Sequence, residues 1–213
     1  PGKSLTVNGV LTNNGTLTLK SDANGTATIK TLGTVTNGGT TNYKVEQYLA
    51  LPRRTWYMSS PVSGTVTPGG GVTNIKSYDE TTGLWSSAGT TMIAKTGYLL
   101  YPSSTSTTEA TTMTFNGTLN NGNIDIPLTR TSGKGNGFNL IVNPYPSHIV
   151  WTTDMATSAK LLTSIWYRTA VYNSSTSKNV YSFHTYNAAG TVASPVEATQ
   201  YIPPMQAFWV RVD

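Results

Sequence analysis

The stretch from Gly137 to Trp151, "GFNLIVNPYPSHIVW", decides how the chain is read. Phe138 to Val142 form a short run, apolar but for Asn139, bounded by Gly137 on one side and Asn143-Pro144 on the other. A run of that length and bounding reads as a strand covered on both faces. Asn143 precedes Pro144 and Tyr145 precedes Pro146. The residue before a proline is driven to extended backbone, because the ring clashes with its helical conformation. The chain therefore leaves the sheet stiff, and the X-Pro context admits a cis bond at Tyr145–Pro146. Trp151 is expected to fold back as a cap. The stretch holds one histidine and no acid, so it reads as wall and not as the floor of an active site.

Strand signals recur outward from it. "YKVEQYLAL" alternates so that Tyr43, Val45, Gln47 and Leu49 face one way, and a turn is expected at Pro52-Arg53-Arg54 before "TWYMSSPV". Further strands are predicted in "NIKSYD", "GYLLYP", "TMTFNGTL", "IDIPLT", "FNLIVN", "SIWYRTAVYN", "VYSFHTYN" and "AFWVRV". Many short strands separated by turn residues indicate an all-β sandwich or barrel. Only "TTDMATSAKLL" carries a helical pattern, with Asp154 as the expected cap and an end near Leu162. The run 102–112 reads as an exposed loop.

The first forty or so residues have a different rhythm. Leu5-Thr6-Val7 and Leu17-Thr18-Leu19 alternate with Asn-Gly at Asn8-Gly9, Asn14-Gly15 and Asn24-Gly25. Asn-Gly accepts the left-handed backbone angles of tight turns. An antiparallel meander and a pair of β-solenoid rungs both fit, and either must pack on something else to bury its apolar side. The expected division is a strand-turn segment over 1–42 and a sandwich over 43–213.

Composition narrows the chemistry. Charged residues are 11% of the chain and are outnumbered by Thr alone, whose branched Cβ suits pleated strands. Net charge is +5, but the basic residues are scattered from Lys3 to Arg211, with only Arg53 and Arg54 adjacent. Nucleic acid is not an expected partner, because phosphate binding needs a clustered basic face. Cysteine is absent, which excludes disulfides and thiolate chemistry. No apolar run approaches the roughly 20 residues of a membrane span, so membrane insertion is not expected. The chain opens on Pro1-Gly2 rather than Met, which reads as a processed or excised piece.

No catalytic residue, metal site or cofactor is expected. His148 and His184 lie far apart with few carboxylates near them in sequence, Ser147-His148 is not part of a GxSxG elbow, and the nine acidic residues are dispersed. Asp79-Glu80 in "SYDETTGLW" read as turn residues, and Asp22 in "SDANGT" as part of an Asn-Gly turn rather than a calcium loop. The tryptophans are the remaining candidates. Trp166 and Trp209 alternate with apolar neighbours inside strands and read as core. Trp85 follows a turn and Trp151 a proline-rich loop, so these two, with Tyr145, form the candidate sugar-stacking platform, against core packing as the commoner use of such residues.

Several landmarks together resemble a module of secreted and cell-surface proteins of Bacteroidetes. "GFNLIVNPYPSHIVW" resembles that family's GWNLIGNPYPSAIDW signature. "VEQYLALPRRTWYMSSPVSG", "YDETTGLW", "GYLLY", "TFNGTLNNG" and "YIPPMQAFWVRV" follow in the same order. Phe138 stands where the family usually has Trp, Val142 where it has Gly, and Val150 where Asp is common. The resemblance implies a jelly-roll-like β-sandwich with a β-solenoid-like lead-in, export by the type IX secretion system and an extracellular location. It supplies no catalytic residue. The resulting expectation is a non-catalytic surface module for adhesion, assembly or spacing, pairing with other surface proteins or copies of itself through strand edges. The alternative is a carbohydrate-binding module.

Overall fold

Period-two alternation does most of the building. In Tyr43–Leu49, residues 43, 45 and 49 are buried while their neighbours are half-covered, as a strand with one face on a core requires. The protein is described from a computed structural model covering residues 1–37, 43–50, 54–70, 72–102, 110–190, 192–195 and 197–213. Residues 52 and 53 of the expected turn, and most of the expected loop over 102–112, lie outside the described residues. Thr111 and Thr112 open the strand Thr111–Asn116.

The architecture is an all-β sandwich with a solenoid-like N-terminal segment. A four-stranded sheet lies at its centre, ordered Leu84–Gly89, Val72–Asp79, Tyr98–Pro102, Trp56–Met58. Its strands use both faces. Tyr98, Leu100, Met58 and Ile75 pack against Val45, Leu49, Met113 and Phe115 of the sheet formed by Thr111–Asn116, Tyr43–Leu49 and Leu17–Leu19. Tyr57 and Leu99 point the other way, onto Leu140, Val142 and Ala207. Those three belong to a five-stranded sheet ordered Phe138–Val142, Ala207–Arg211, Ser164–Asn173, Lys178–Asn187, Val192–Ser194. Its far face, through Ile165, Phe208 and Val210, packs on Trp151, Ala156 and Ile202.

The N-terminal choice falls to the solenoid. Ser4–Val7 pairs in parallel with Thr28–Thr31, Leu11–Asn13 with Val35–Asn37, and Leu17–Leu19 with the start of Tyr43–Leu49. Two rungs are therefore stacked in parallel, as solenoid coils are. The corners stack too: a Cβ on Gly33 would collide with the carbonyl oxygen of Gly9. Only Asn24-Gly25 turns a hairpin, with the Asp22 carboxylate accepting from Asn24 N–H at 2.7 Å. Leu19 and Ile29 of the solenoid share one core with Met58, Leu100 and Met205.

Two further expectations are corrected. The helix is Thr153–Ser158, capped by Thr152, whose side chain accepts from Met155 N–H, while Asp154 sits in the first turn. It stops before Leu162 because Lys160 adopts φ 54° and Leu161 N–H returns to Ala156 O, a left-handed helix ending that frees Leu161 to bridge Val212. "IDIPLT" forms no strand. Pro127 has no N–H to donate, and the segment is held by Asn139, whose side chain accepts from Thr129 N–H and donates to Thr129 O.

The opening stretch is wall, and Asn143 is its pin. The strand Phe138–Val142 is covered on both faces, Leu140 and Val142 on one and Ile141 on the other. Asn143 is fully buried. Its amide donates to the carbonyls of Ser147, Ile202 and Pro203 at 2.7, 3.1 and 2.9 Å, and its oxygen accepts from Tyr145 N–H at 3.0 Å. Pro144 O accepts from Asn120, and Pro146 O from the solenoid's Ile29 N–H. Three regions are thus tied to one turn. Among the described residues the cis X-Pro bond is Ser194–Pro195 rather than Tyr145–Pro146.

Candidate functional site: an aromatic groove

The facing sides of the four- and five-stranded sheets do not cover each other completely. Past the buried contacts of Leu99, Leu140 and Ala207, their aromatic residues line an open groove of about 510 Å³ bounded by Tyr57, Tyr78, Trp85, Phe138, Trp166, Phe183 and Trp209. Strand registry puts them there. Tyr78 pairs with Trp85 across one sheet and Trp166 with Trp209 across the other. In an antiparallel pair, directly opposed residues share a face. Phe183 opposes Arg168 on that same face of the hairpin, two residues along from Trp166.

The rings interlock. Tyr57 stacks on Trp85 at 5.9 Å between centroids and 24° between planes. Trp209 meets Tyr78 edge-on at 4.8 Å and Trp85 at 6.0 Å. Phe138 and Trp166 form a further edge-on pair at 5.4 Å. Edge-to-face packing holds each ring in place and leaves other faces open. Phe183 is 54% exposed at the rim. Burial pushes the Tyr57 hydroxyl pKa up, against smaller opposing effects of Trp209 and Arg168. Tyr78 is raised by burial and by the nearby Glu80 and Asp79. Both phenols therefore stay neutral donors at neutral pH.

Glu80 builds the groove wall. Its carboxylate, 4% exposed, accepts from Thr131 N–H at 2.7 Å, Thr131 Oγ1 at 2.9 Å and Gly137 N–H at 2.8 Å. Burial alone would raise its pKa, but these donors outweigh it and hold the carboxyl below the ordinary glutamate value. The loop they fix carries Gly135 and Phe138 to the groove. Asp79 is the turn residue expected, accepting from Thr81 N–H and Thr81 Oγ1.

The predicted platform residues do not come together. Trp85 lies in the groove. Trp151 is only 3% exposed, donates its indole N–H to Thr163 O at 3.0 Å and packs edge-on to Phe208, so it has no face for a ligand. Tyr145 belongs to the proline-rich turn, its hydroxyl donating to Gly122 O at 2.6 Å. Trp166 and Trp209, read as core, are groove residues. Their alternation fixed the correct face, but nothing in a single strand shows where a facing sheet ends.

Other places offer less chemistry. His148 lines a cavity of about 240 Å³ with Trp56, Met58 and Met205 and no carboxylate. His184 opposes Tyr167 on the other face of its sheet from Phe183. A cavity of about 610 Å³ between Thr34 and Asn121 has Lys95 as its ionisable lining residue. Among the described residues no three His, Asp or Glu side chains gather where they could hold a metal, and no helix is long and apolar enough to cross a membrane.

Fold and site together define an all-β sandwich module with a two-rung solenoid and an aromatic groove of ligand size, within the range of about 300–1,000 Å³ usual for small-molecule sites. Over residues 1–213 the chain matches the family described as Domain of unknown function (DUF8693), and it belongs to that family. No curated protein and no solved structure matches it.

Proposed function

We propose that this protein is a non-catalytic module of a secreted or cell-surface protein and that its aromatic groove binds carbohydrate. The groove carries the reading: seven aromatic side chains converge on it, several with partly open faces, and sugar rings offer the C–H faces that stack on such surfaces. The carboxylate nearest the groove wall, Glu80, already accepts three hydrogen bonds from its own loop, which gives it a structural use. The low charge and the Asn143-Pro144-Tyr145-Pro146 resemblance support the extracellular setting. A glycan array probed with the chain and with Trp85→Ala and Phe183→Ala tests it. Binding lost in both variants, with unchanged thermal melts, supports the groove. Absence of any glycan ligand, or binding indifferent to both substitutions, removes it.

Assembly through strand edges is a second reading, favoured by the hairpin Ser164–Asn187. Val192–Ser194 pairs only with residues 185–187, so the outer edge of the hairpin is open from Lys178 to His184 among the described residues. Val171 and Val180 oppose each other there at 70% and 56% exposure. Open edges of this kind accept a further strand. Light scattering across a concentration series decides it: a strict monomer at high concentration contradicts assembly.

A further inference from the structure

Beside the groove stands a charged group that stacking on a neutral sugar does not use. Arg168, on the same sheet face as Trp166 and Phe183, lies 5.2 Å above the Tyr57 ring and 3.7 Å above the Tyr181 ring. Its Nη1 donates to Thr55 Oγ1 at 2.7 Å, and Thr55 N–H donates to the Tyr181 hydroxyl at 2.9 Å. Arg54, next to Thr55 in sequence, sits 4.0 Å over the Trp56 ring with its Nε buried and without a hydrogen-bond acceptor. Neither arginine has a carboxylate partner, since the ion pair found among the described residues is Lys44–Glu46. Burial lowers the Arg54 pKa, Tyr181 opposes this, and the proximity of Arg168 lowers it further. Two guanidinium groups are thus held near each other without a counter-charge among the described residues.

Further cations stand on the same sheet faces, two residues along from Tyr78 and Trp209. Arg211 lies 5.3 Å over Phe138 and donates to Asn136 O, and Lys76 lies 5.6 Å from Tyr101. The carboxylates on this side, Asp79 and Glu80, are both occupied within their own loops. Folding gains little from two neighbouring unpaired cations, one of them with a buried, unbonded N–H. A ligand anion would supply the missing counter-charge, and guanidinium is the group whose planar fork matches carboxylate and sulfate.

Resting on the groove reading above, we propose that the ligand is an acidic glycan, with the sugar ring on Trp85, Trp166, Phe183 and Trp209 and its carboxylate or sulfate held by Arg168, Arg54 adding positive charge beside it. A neutral ligand would leave the arginines idle, and an anion without a ring would leave the aromatic faces idle.

The test uses the intact chain against three probes measured by calorimetry: an oligogalacturonate, the same oligosaccharide with its carboxyls methyl-esterified, and a sulfated galactan oligosaccharide. The array above widens the set to other uronate, sulfated and neutral glycans. Expected is a preference of about tenfold or more for acidic over neutral forms, the size of one charge-assisted contact. Arg168→Gln and Arg54→Gln should each shrink the ratio of acid to ester affinity, and Arg168→Lys should restore it only in part. The uronate and sulfate arms distinguish which anion is taken. Equal binding of acid and ester, or ligands found only among neutral glycans, overturns the acidic assignment and leaves the groove reading standing. No ligand in any class ends both. Loss of acid binding in Trp85→Ala with no change in either arginine variant also overturns the assignment.

Discussion

Glu80→Ala should loosen the groove wall and cost the fold a measurable amount. The carboxylate holds two backbone N–H groups, Thr131 and Gly137, and the Thr131 hydroxyl. Truncation leaves both N–H groups facing a small apolar void, while the hydroxyl can turn elsewhere. Each stranded buried donor costs about 1–3 kcal/mol; with partial access of water through the opened loop the sum is about 3 kcal/mol. For a chain of this length that lowers Tm by about 6–12 °C. Glu80→Gln keeps an oxygen for the two N–H groups and turns its amide toward the Thr131 hydroxyl, so the loss should be about 1 kcal/mol. Acid adds a second readout. The folded pKa lies below the ordinary 4.5, so the carboxylate's contribution is complete above that value and disappears as pH falls through the folded pKa. Asp79 titrates in the same direction because Thr81 holds its pKa down, so the informative quantity is the difference between parent and Glu80→Gln. Urea titrations followed by tryptophan emission at pH 7 and at steps down to pH 3 provide it. An alanine variant within about 0.5 kcal/mol of the parent, or a glutamine variant with undiminished acid sensitivity, would refute the role given to Glu80.

Asn143→Ala should destabilise by about 3 kcal/mol, since it strands the carbonyls of Ile202 and Pro203 and the N–H of Tyr145 in the interior; chemical denaturation measures it. Gly33→Ala places a methyl against the Gly9 carbonyl, and thermal melting should show a loss of about 1–3 kcal/mol as the two rungs shift apart. Trp151→Ala should cost about 3–5 kcal/mol of stability yet leave the glycan affinity of the folded fraction unchanged, which separates a core tryptophan from a groove tryptophan.

Much of the fold was legible because burial follows alternation. The inward side of Tyr43–Leu49 and the double-sided cover of Phe138–Val142 can be read from neighbouring residues alone. The solenoid was half legible: Gly9 and Gly33, and Leu11-Thr12-Asn13 and Val35-Thr36-Asn37, mark equal positions on successive rungs, but two copies with few identities do not separate stacking from a meander. The groove was hidden. Alternation assigns Trp166 and Trp209 to a face, and only the facing sheet determines whether that face is sealed or open. Glu80 was read as a turn residue because its partners, Thr131 and Gly137, are more than fifty positions away, and a lone acid beside Asp79 carries no signal of them. Asn143 stood in the motif that decided the fold, yet its three carbonyl partners come from Ser147 and from Ile202-Pro203, and only the last pair is distant in sequence.

The groove claim is tested most directly by the five tryptophan indole N–H signals in a nitrogen–proton correlation spectrum recorded while an array-selected glycan is added. The signals of Trp85, Trp166 and Trp209 should move together along one saturation curve, while that of Trp151, bonded to Thr163 O, stays fixed. Movement of Trp151 with the other three unmoved would place the ligand elsewhere and contradict the account.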